Sequence, residues 1–291
     1  MRMPPHDRVP YSAIVDRPPL PLPGGARLIV WTIVNVEEWN IEQPMPRTVL
    51  PPPMQQSLLP DVPNWAWHEY GMRVGFWRLR DLLRTAGVVP TLAINGSVCR
   101  SYPRVAEAAR EAGWEFMGHG FRQGPMHRLP DQRAAIRQTI DTIEEFTGKA
   151  PRGWESPGLT ETEETADLLA EEGIEYVADW VLDDQPCKLA TRAGPIITLP
   201  YTLETNDVAM IAVQHHSSEE LLRRIVDQFD RLYAESAAIT RIMSLSLHPY
   251  LSGVPHRIRY IEAAFEHMSH HEGVLFWTGD RIFDWYRAVA R

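Results

Sequence analysis

The chain has only two cysteines, Cys99 and Cys187, which are too few for a framework of disulfide bonds. It lacks a block of Lys or Arg residues, and its 29 basic and 38 acidic residues give a net charge of -9, so no nucleic-acid partner is expected. No apolar run approaches the roughly 20 residues that a membrane span needs. The first residues show no charged segment followed by an apolar run, so no secretory signal is visible. These absences predict a cytoplasmic protein that does not bind membranes.

The composition that is present is typical of a globular protein. Hydrophobic residues make up 44% and charged residues 23% of the 291 positions, which allows one large domain or two small ones. Residues 1–26 hold many prolines and little periodicity, which favours an extended N-terminal arm before a folded domain over residues 27–291. A proline-rich arm without its own core gains stability only by docking, and such arms often cross subunit interfaces. We therefore expect a homo-oligomer.

Strand and helix patterns alternate along the folded domain. Residues 28–36 form an almost unbroken apolar and β-branched run, which is typical of a strand buried on both faces of a parallel sheet. Helical spacing follows from Met72 to Ala86, and a second strand pattern spans residues 88–95. Seven or eight such units over about 250 residues predict an α/β fold, a closed or nearly closed (β/α) barrel in a single domain. An open doubly wound sheet is the alternative, but no GxGxxG sequence follows the first strand.

Residues 39–70 show no convincing helix or strand pattern. A loop of this length inside a compact chain usually forms a lid or a pocket wall. Its aromatic residues, with Trp65 and Trp67 among them, are candidates for a wall around a small planar molecule, and packing in the core is the alternative. Farther along, Thr160 and Glu163 have the spacing of a capping box that opens a helix, as do Ser217 and Glu220.

Two pairs of adjacent histidines also occur, at residues 215–216 and 270–271. Adjacent residues on a helix point in different directions, so a pair of this kind does not present both rings to one ion. We interpret both pairs as surface histidines.

Polar residues collect at the carboxyl ends of the predicted strands, where the active sites of (β/α) barrels lie. Each one alone is compatible with an ordinary solvated strand end or a helix cap. Two adjacent carboxylates and two histidines on three strands, however, supply the base, the acid and a possible metal ligand for hydrolysis. The residues at these ends are Glu37, Glu38, Asn95, His119, Glu155, Asp179, Tyr201, Glu204, Asp207 and His248.

Five motifs follow one another in a characteristic order. They are NVEEW after the first strand, GHGFRQGPMH after the third, PRGWESPGL after the fourth, then VADW and a late LSLH. This order resembles the NodB-homology polysaccharide deacetylase superfamily over nearly the whole chain. The resemblance implies a distorted (β/α) barrel that hydrolyses amide bonds, typically of N-acetyl groups, with a divalent metal. It also implies that Glu37 is the general base, Glu38 and His119 are metal ligands and His248 is the general acid.

The chain departs from the pattern of that superfamily at three places. Its acidic pair is Glu-Glu where the superfamily has Asp-Asp, Gln123 stands where the superfamily has a second metal-binding histidine, and residues 154–156 intrude in the arginine loop. A zinc site needs about three His or carboxylate ligands, and Gln is a poor substitute. His127 could replace the missing ligand only if its loop folds back. With Glu38 and His119 as the two dependable ligands, we expect zinc or another divalent metal to bind weakly or not at all.

The departures themselves follow a pattern. EEW, HGFRQ, HEYGMRVGFWRL and LPYTLETND are similar to the branch that contains allantoinases and cyclic imide hydrolases. That branch opens cyclic amides, and its allantoinases are metal-independent, so the resemblance implies a hydrolase of a non-peptide C–N bond in a small cyclic amide, imide or ureide. In such a site, repulsion between Glu37 and Glu38 is expected to raise the pKa of one carboxyl and make it a base. His119 and His248 would then donate to the oxyanion and the leaving nitrogen.

Two other functions stay open. One is a metal-dependent deacetylase of an N-acetylated sugar, and the other is an inactive carbohydrate-binding barrel. The acidic pair and LSLH argue against the inactive barrel, because a binding protein does not need an acid and a base at its strand ends. The residues expected to bind the substrate are Trp67, Tyr70, Arg73, Glu155, Asp179, Trp180 and Tyr201.

Overall fold

The computed structural model describes residues 3–290. Residues 1 and 2 of the predicted arm and residue 291 of the predicted domain lie outside this range. The strands are β1 Leu28–Val36, β2 Thr91–Ile94, β3 Glu115–Gly118, β4 Gly153–Trp154, β5 Tyr176–Val177, β6 Cys187–Leu189, β7 Ile196–Thr198, β8 Arg241–Leu247 and β9 Val274–Phe276. The helices are α1 Pro5–Arg8, α2 Val62–Tyr70, α3 Phe76–Thr85, α4 Val98–Ser101, α5 Pro103–Glu111, α6 Gln132–Thr147, α7 Thr165–Glu171, α8 Ser218–Glu235, α9 Pro255–Ser269 and α10 Gly279–Val289.

All nine strands belong to one sheet in the order β6-β7-β5-β4-β3-β2-β1-β8, and β9 also pairs with β1. Strand β1 has β8 along one edge, while β9 and then β2 share its other edge. Every pairing is parallel except that of β6 with β7. The buried central position of β1 explains its unbroken apolar sequence, since helices and barrel interior cover its two faces.

The sheet curls into a half-barrel within a single domain. A single parallel bridge between Asn206 and Ser246 connects the segment after β7 to β8. The predicted single-domain, distorted (β/α) barrel is therefore confirmed, although the sheet has nine strands within residues 3–290 and not seven or eight. The additional strand is β6, which has a loop-like sequence and pairs antiparallel with β7 at the sheet edge.

Alternate residues of the strands pack into two different cores. In β1, the side chains of Leu28, Val30 and Val34 belong to an outer cluster with the helices. Those of Ile29 and Trp31 belong to an inner cluster inside the half-barrel. This two-residue period decides which side chains at the strand ends face the interior.

The described part of the N-terminal arm lies against the half-barrel. The guanidinium of Arg8, 1% exposed, donates to both carboxylate oxygens of Asp167 at 3.1 and 2.8 Å. Farther along the arm, the indole of Trp285 donates to the carbonyl of Pro21 at 2.9 Å. Removal of either partner of the buried Arg8–Asp167 pair would leave an uncompensated charge, so this pair fixes where the arm docks.

Two local predictions were wrong and one is confirmed. The stretch 39–70 contains a helix, α2, with Asp61 as its N-cap acceptor, although its proline and tryptophans conceal the helical period. The predicted capping box at Thr160 does not form, because the Thr160 hydroxyl accepts from the Met126 amide and α7 begins only at Thr165. The cap of α8 is as expected, since the Ser217 side chain accepts from the Glu220 amide. Across residues 3–290, no helix combines the length and the apolar character needed to cross a membrane.

Candidate active site

Four strands end on a side chain that points outward, and β3 ends on Gly118 after the inward-facing Met117, so the residue after each of these five strands points into the half-barrel. Val36, Ile94 and Leu247 belong to the outer cluster, and Trp154 packs in a third apolar cluster beside it. The next residues continue the two-residue alternation onto the inner side. These inward residues, all buried at the carboxyl edge of the sheet, are Glu37, Asn95, His119, Glu155 and His248.

The Glu37 carboxylate lies at the centre of this group. Its Oε1 accepts a hydrogen bond from Gln123 Nε2 at 2.8 Å, and its Oε2 accepts from the Trp39 indole at 2.9 Å. The Nε2 atoms of His119 and His248 lie 3.5 and 3.6 Å from Oε1. Burial alone would raise the pKa of Glu37, but its interactions with the two imidazoles outweigh burial and hold that pKa well below its usual range. The expected rise by repulsion from Glu38 is therefore wrong for Glu37.

His248 is held by a second carboxylate, that of Asp207. Its Nδ1 lies 2.6 Å from Asp207 Oδ1, while Asp207 Oδ2 accepts from the His248 amide at 2.8 Å and from the Ser252 hydroxyl at 2.6 Å. Burial lowers the pKa of His248, but Asp207 and then Glu37 favour the imidazolium more strongly and raise this pKa to about 10. At neutral pH, His248 thus carries a proton on Nε2 that faces Glu37.

His119 is oriented by the loop after β4. Its Nδ1–H donates to the Glu155 carbonyl at 2.7 Å, which turns Nε2 toward Glu37. Burial opposes charging of this ring, yet Glu37 and Glu155 together raise the pKa of His119. Burial also raises the pKa of Glu155 to about 7, with His119 opposing the rise. Within residues 3–290, no hydrogen-bond partner reaches His119 Nε2, which leaves this buried nitrogen available to a bound molecule.

Gln123 and Glu38 do not form the three-ligand metal site that the family pattern implies. Gln123 directs its amide NH₂, which cannot ligate a metal, at Glu37, and its Oε1 already accepts a hydrogen bond from Asn95 at 3.3 Å. The Glu38 carboxylate lies 3.5 Å from the Arg122 guanidinium. His127 is exposed on a turn and lines another cavity, with Glu161 and Asp179. The residues present therefore do not fit that metal site.

Aromatic rings lie beside His248 and Glu37. The Tyr250 ring stands edge-on to His248 at 5.6 Å and to Trp67 at 4.8 Å. Trp39, whose indole donates to Glu37, stacks on the His68 ring at 4.5 Å. Burial lowers the pKa of His68 to about 4, so this ring is neutral at pH 7. Trp67 is thus part of an aromatic wall beside the site and also packs against the core.

Several predicted substrate-binding residues do not contact Glu37 or the two histidines. The Tyr70 hydroxyl accepts a hydrogen bond from Arg78. The Arg73 side chain is largely exposed, and its guanidinium lies 3.3 Å from the Glu69 carboxylate. The two-residue alternation turns Asp179 away, and its carboxylate accepts from the Ser156 amide at 2.6 Å. The remaining two predicted residues, Trp180 and Tyr201, donate to Glu161 at 3.1 Å and to Ser246 at 3.0 Å, respectively.

The sequence interpretation missed the roles of three residues. By sequence alone, Asp207 and Asn95 are only polar residues that follow a strand. Asn95 accepts from the Glu38 amide at 2.8 Å and donates to the His119 carbonyl, so it joins the first and third strand ends. Tyr250 had no polar context that would mark it. Extending the strand alternation by one residue would have identified Asn95, but no local signal identifies Asp207, 41 residues before His248.

Comparisons with known proteins agree with this geometry. The family model of polysaccharide deacetylase matches residues 68–177. A Schizosaccharomyces pombe protein named "Putative polysaccharide deacetylase" is 29% identical over 233 residues, 74% of this chain and 73% of that protein. A Helicobacter pylori peptidoglycan deacetylase is 22% identical over 260 residues, 72% of this chain and 83% of that protein.

Two solved structures are similar over almost their full lengths. A probable polysaccharide deacetylase from Pseudomonas aeruginosa has a TM-score of 0.84 at 28% identity, covering 94% of this chain and 95% of that one. The PuuE allantoinase has a TM-score of 0.86 at 27% identity, covering 99% of both chains. The chain thus contains a polysaccharide deacetylase domain over residues 68–177, shares its fold with a probable polysaccharide deacetylase and an allantoinase, and is a hydrolase of carbon–nitrogen bonds other than peptide bonds.

Proposed function

We propose that this enzyme opens a small cyclic amide, imide or ureide by hydrolysis, using Glu37, His119 and His248. The observation that carries the proposal is the hydrogen bond from Gln123 to Glu37. It gives the central carboxylate an amide donor at the position where a metal-dependent relative has a histidine ligand. The similarity to an allantoinase over 99% of both chains supports the same interpretation.

The charges assign a role to each group. His248 is protonated at neutral pH, because its pKa is raised to about 10, and Glu37 is ionised. Separations of 3.5 and 3.6 Å between Glu37 and the two Nε2 atoms exceed the usual 2.7–3.2 Å of such hydrogen bonds. The protonated His119 can therefore turn its Nε2–H to the carbonyl oxygen of a substrate, and His248 can turn its Nε2–H to the leaving nitrogen. Once they do, Glu37 loses partners that lower its pKa and becomes a better base.

The reaction then proceeds with these residues and water. Glu37 takes a proton from a water molecule while the oxygen of that water attacks the carbonyl carbon, and His119 stabilises the developing oxyanion. The C–N bond breaks as His248 gives its proton to the leaving nitrogen. The product is a carboxylic acid still joined to the released nitrogen group, because the bond lies in a ring. Asp207 holds His248 in the orientation for this transfer.

Unpartnered acceptors near the site favour a substrate rich in N–H groups. Among the described residues, Glu38 Oε2 and Glu155 Oε2 are buried and have no hydrogen-bond partner. Leaving such oxygens unsatisfied costs about 1–3 kcal/mol each, which a bound donor would relieve. A cyclic ureide presents several N–H groups beside its carbonyls, whereas an N-acetyl group presents one.

A substrate panel tests the proposal. We expect ring opening of a hydantoin, a cyclic imide or a cyclic ureide. The reaction is measured by the loss of the ring absorbance and by chromatography of the acid product. Chitooligosaccharides and peptidoglycan fragments, assayed for acetate release with and without added zinc, form the comparison arm. The proposal would be contradicted if none of the cyclic substrates were hydrolysed and zinc stimulated the release of acetate.

That comparison arm represents the second candidate function, a metal-dependent deacetylase of an N-acetylated sugar. The matched family and the relatives named polysaccharide and peptidoglycan deacetylases favour it. It requires a third metal ligand beside Glu38 and His119, which Gln123 does not supply in its observed orientation.

A further inference from the structure

Three potential metal ligands converge on the outer surface of the half-barrel, away from the candidate active site. Asp230 lies on α8, His267 on the last turn of α9 and His271 just after α9. Each offers one ligand atom, and the three atoms lie within 4.8 Å of one another. Among residues 3–290, no other group of three His, Cys, Asp or Glu side chains brings its ligand atoms this close together.

The two rings are already oriented by their neighbours. His267 Nε2 lies 2.7 Å from Asp230 Oδ1. The Nδ1–H of His271 donates to the His267 carbonyl at 3.0 Å, which leaves the lone pair of His271 on Nε2. Phe229 stands edge-on to both imidazoles, with ring centroids 5.7 and 4.9 Å away. Fixing one ring nitrogen by a backbone carbonyl is how proteins commonly orient a histidine ligand.

We propose that Asp230, His267 and His271 bind a divalent transition metal that braces α8 against α9. Two imidazoles four residues apart and one carboxylate match the ligands preferred by Zn²⁺, Ni²⁺ and Cu²⁺, and not those preferred by Mg²⁺ or Ca²⁺. Zinc bonds to such ligands are about 2.0–2.2 Å, so ligand atoms within 4.8 Å need only small side-chain rotations to reach one ion. Asp230 is 51% and His267 33% exposed, which permits these rotations and leaves solvent access for the remaining ligands.

The site is separate from Glu37 and its histidines. Phe229 of α8 and Met268 of α9 pack in the outer cluster, whereas the active-site side chains face the interior. A stoichiometric zinc ion in the purified protein would therefore not by itself indicate a catalytic metal. This inference does not depend on the proposed function.

Metal titration of single variants tests the site. The full-length protein is stripped with a chelator, and Zn²⁺ is titrated by calorimetry against the wild type, His267→Gln, His271→Gln and the matched control His270→Gln. His270 is exposed and adjacent, and it is outside the converging group. We expect wild type and control to bind one Zn²⁺ per chain with the same affinity, and each of the other two variants to bind at least about 10-fold more weakly.

A second variant separates this site from the active site. His119→Gln removes a possible ligand in the interior and should leave the outer Zn²⁺ affinity unchanged, while His267→Gln should leave turnover of the cyclic substrate unchanged. Added Zn²⁺ should raise the Tm of wild type and His270→Gln but not that of His267→Gln, since only a native-state ligand stabilises. The proposal is overturned if His267→Gln and His271→Gln bind Zn²⁺ like the wild type, or if His119→Gln abolishes binding.

Discussion

Asp207 supplies the charge that pairs with His248, and its replacement by asparagine tests the acid role of that histidine. Asp207→Asn keeps the side-chain size and one acceptor oxygen but removes the negative charge. Because Asp207 Oδ2 accepts from the His248 amide and from Ser252, the new NH₂ group faces two donors at that position, or faces the protonated His248 Nδ1 at the position of Oδ1. That mismatch costs about 1–3 kcal/mol, which a folded domain of this size is expected to tolerate.

The magnitude follows from the pKa of His248. Despite the opposing effect of burial, this pKa rises from 6.5 to about 10, and Asp207 contributes most of the rise. At about 1.4 kcal/mol per pH unit, the rise corresponds to a preference of about 5 kcal/mol for the imidazolium, shared between Asp207 and Glu37. Losing an adjacent opposite charge typically changes a pKa by about 1–3. We expect kcat to fall by about 10²-fold or more, since both the orientation and the protonation of the acid are impaired.

The pH dependence distinguishes this role from a purely structural one. A protonated His248 is required, so kcat falls as the pH rises through its pKa. In Asp207→Asn this alkaline limb should move to lower pH by about 1 to 3 pH units. The free energy of unfolding also falls as the pH rises. The raised folded-state pKa of His248 stabilises the protein fully below pH 6.5, and this contribution is lost as the pH rises through about 10. The decline in urea-unfolding stability between pH 7 and 10 should therefore be shallower in the variant.

The assay is a pH–rate profile on the substrate identified by the panel. Asp227→Asn is the matched control, because Asp227 is exposed on α8 and pairs with the exposed Arg223. It should keep both the rate and the alkaline limb of the wild type. A folded Asp207→Asn protein with wild-type kcat and an unmoved alkaline limb would refute the assignment of His248 as an acid supported by Asp207.

Three further predictions concern other buried groups. Glu37→Gln should lower kcat by about 10²- to 10⁴-fold, and Glu38→Gln should lower it by much less, because Glu37 is the carboxylate that lies beside both imidazoles. Equal losses of kcat in steady-state assays of the two variants would contradict this prediction. Gln123→His should increase zinc affinity at the active site, measured in a His267→Gln background, and an unchanged affinity would show that the third ligand is not what is missing. Burial raises the pKa of Glu115 to about 7, so its contribution to stability falls by up to about 3 kcal/mol between pH 4.5 and 7. Glu115→Gln should make the urea-unfolding stability decline less over that range, and a slope equal to that of the wild type would argue against the raised pKa.

Much of the site could be predicted from the sequence because the strands of this fold are short and strongly patterned. The two-residue alternation of β1 side chains between the two clusters continues directly to Glu37, and that of β8 continues to His248. The parallel pairing of these two strands then brings both side chains to one edge of the sheet. Period and strand direction are local properties, so they determined the fold class and the polar residues at the strand ends, whereas the inward position of Glu37 relative to Glu38 depended on packing.

The tertiary structure decided what the loops do. Asp207 reaches His248 from 41 residues away, and Gln123 turns its amide to Glu37, because the intervening segments follow no helix or strand period that fixes their direction. The same holds for His271, whose partners His267 and Asp230 lie on two different helices. The sequence by itself thus determined which residues occupy the strand ends, whereas the partners that set their charge were decided by packing between distant segments. The physical reason is that hydrogen bonds and charge pairs act over a few ångströms in space, and only the folded chain brings distant residues that close.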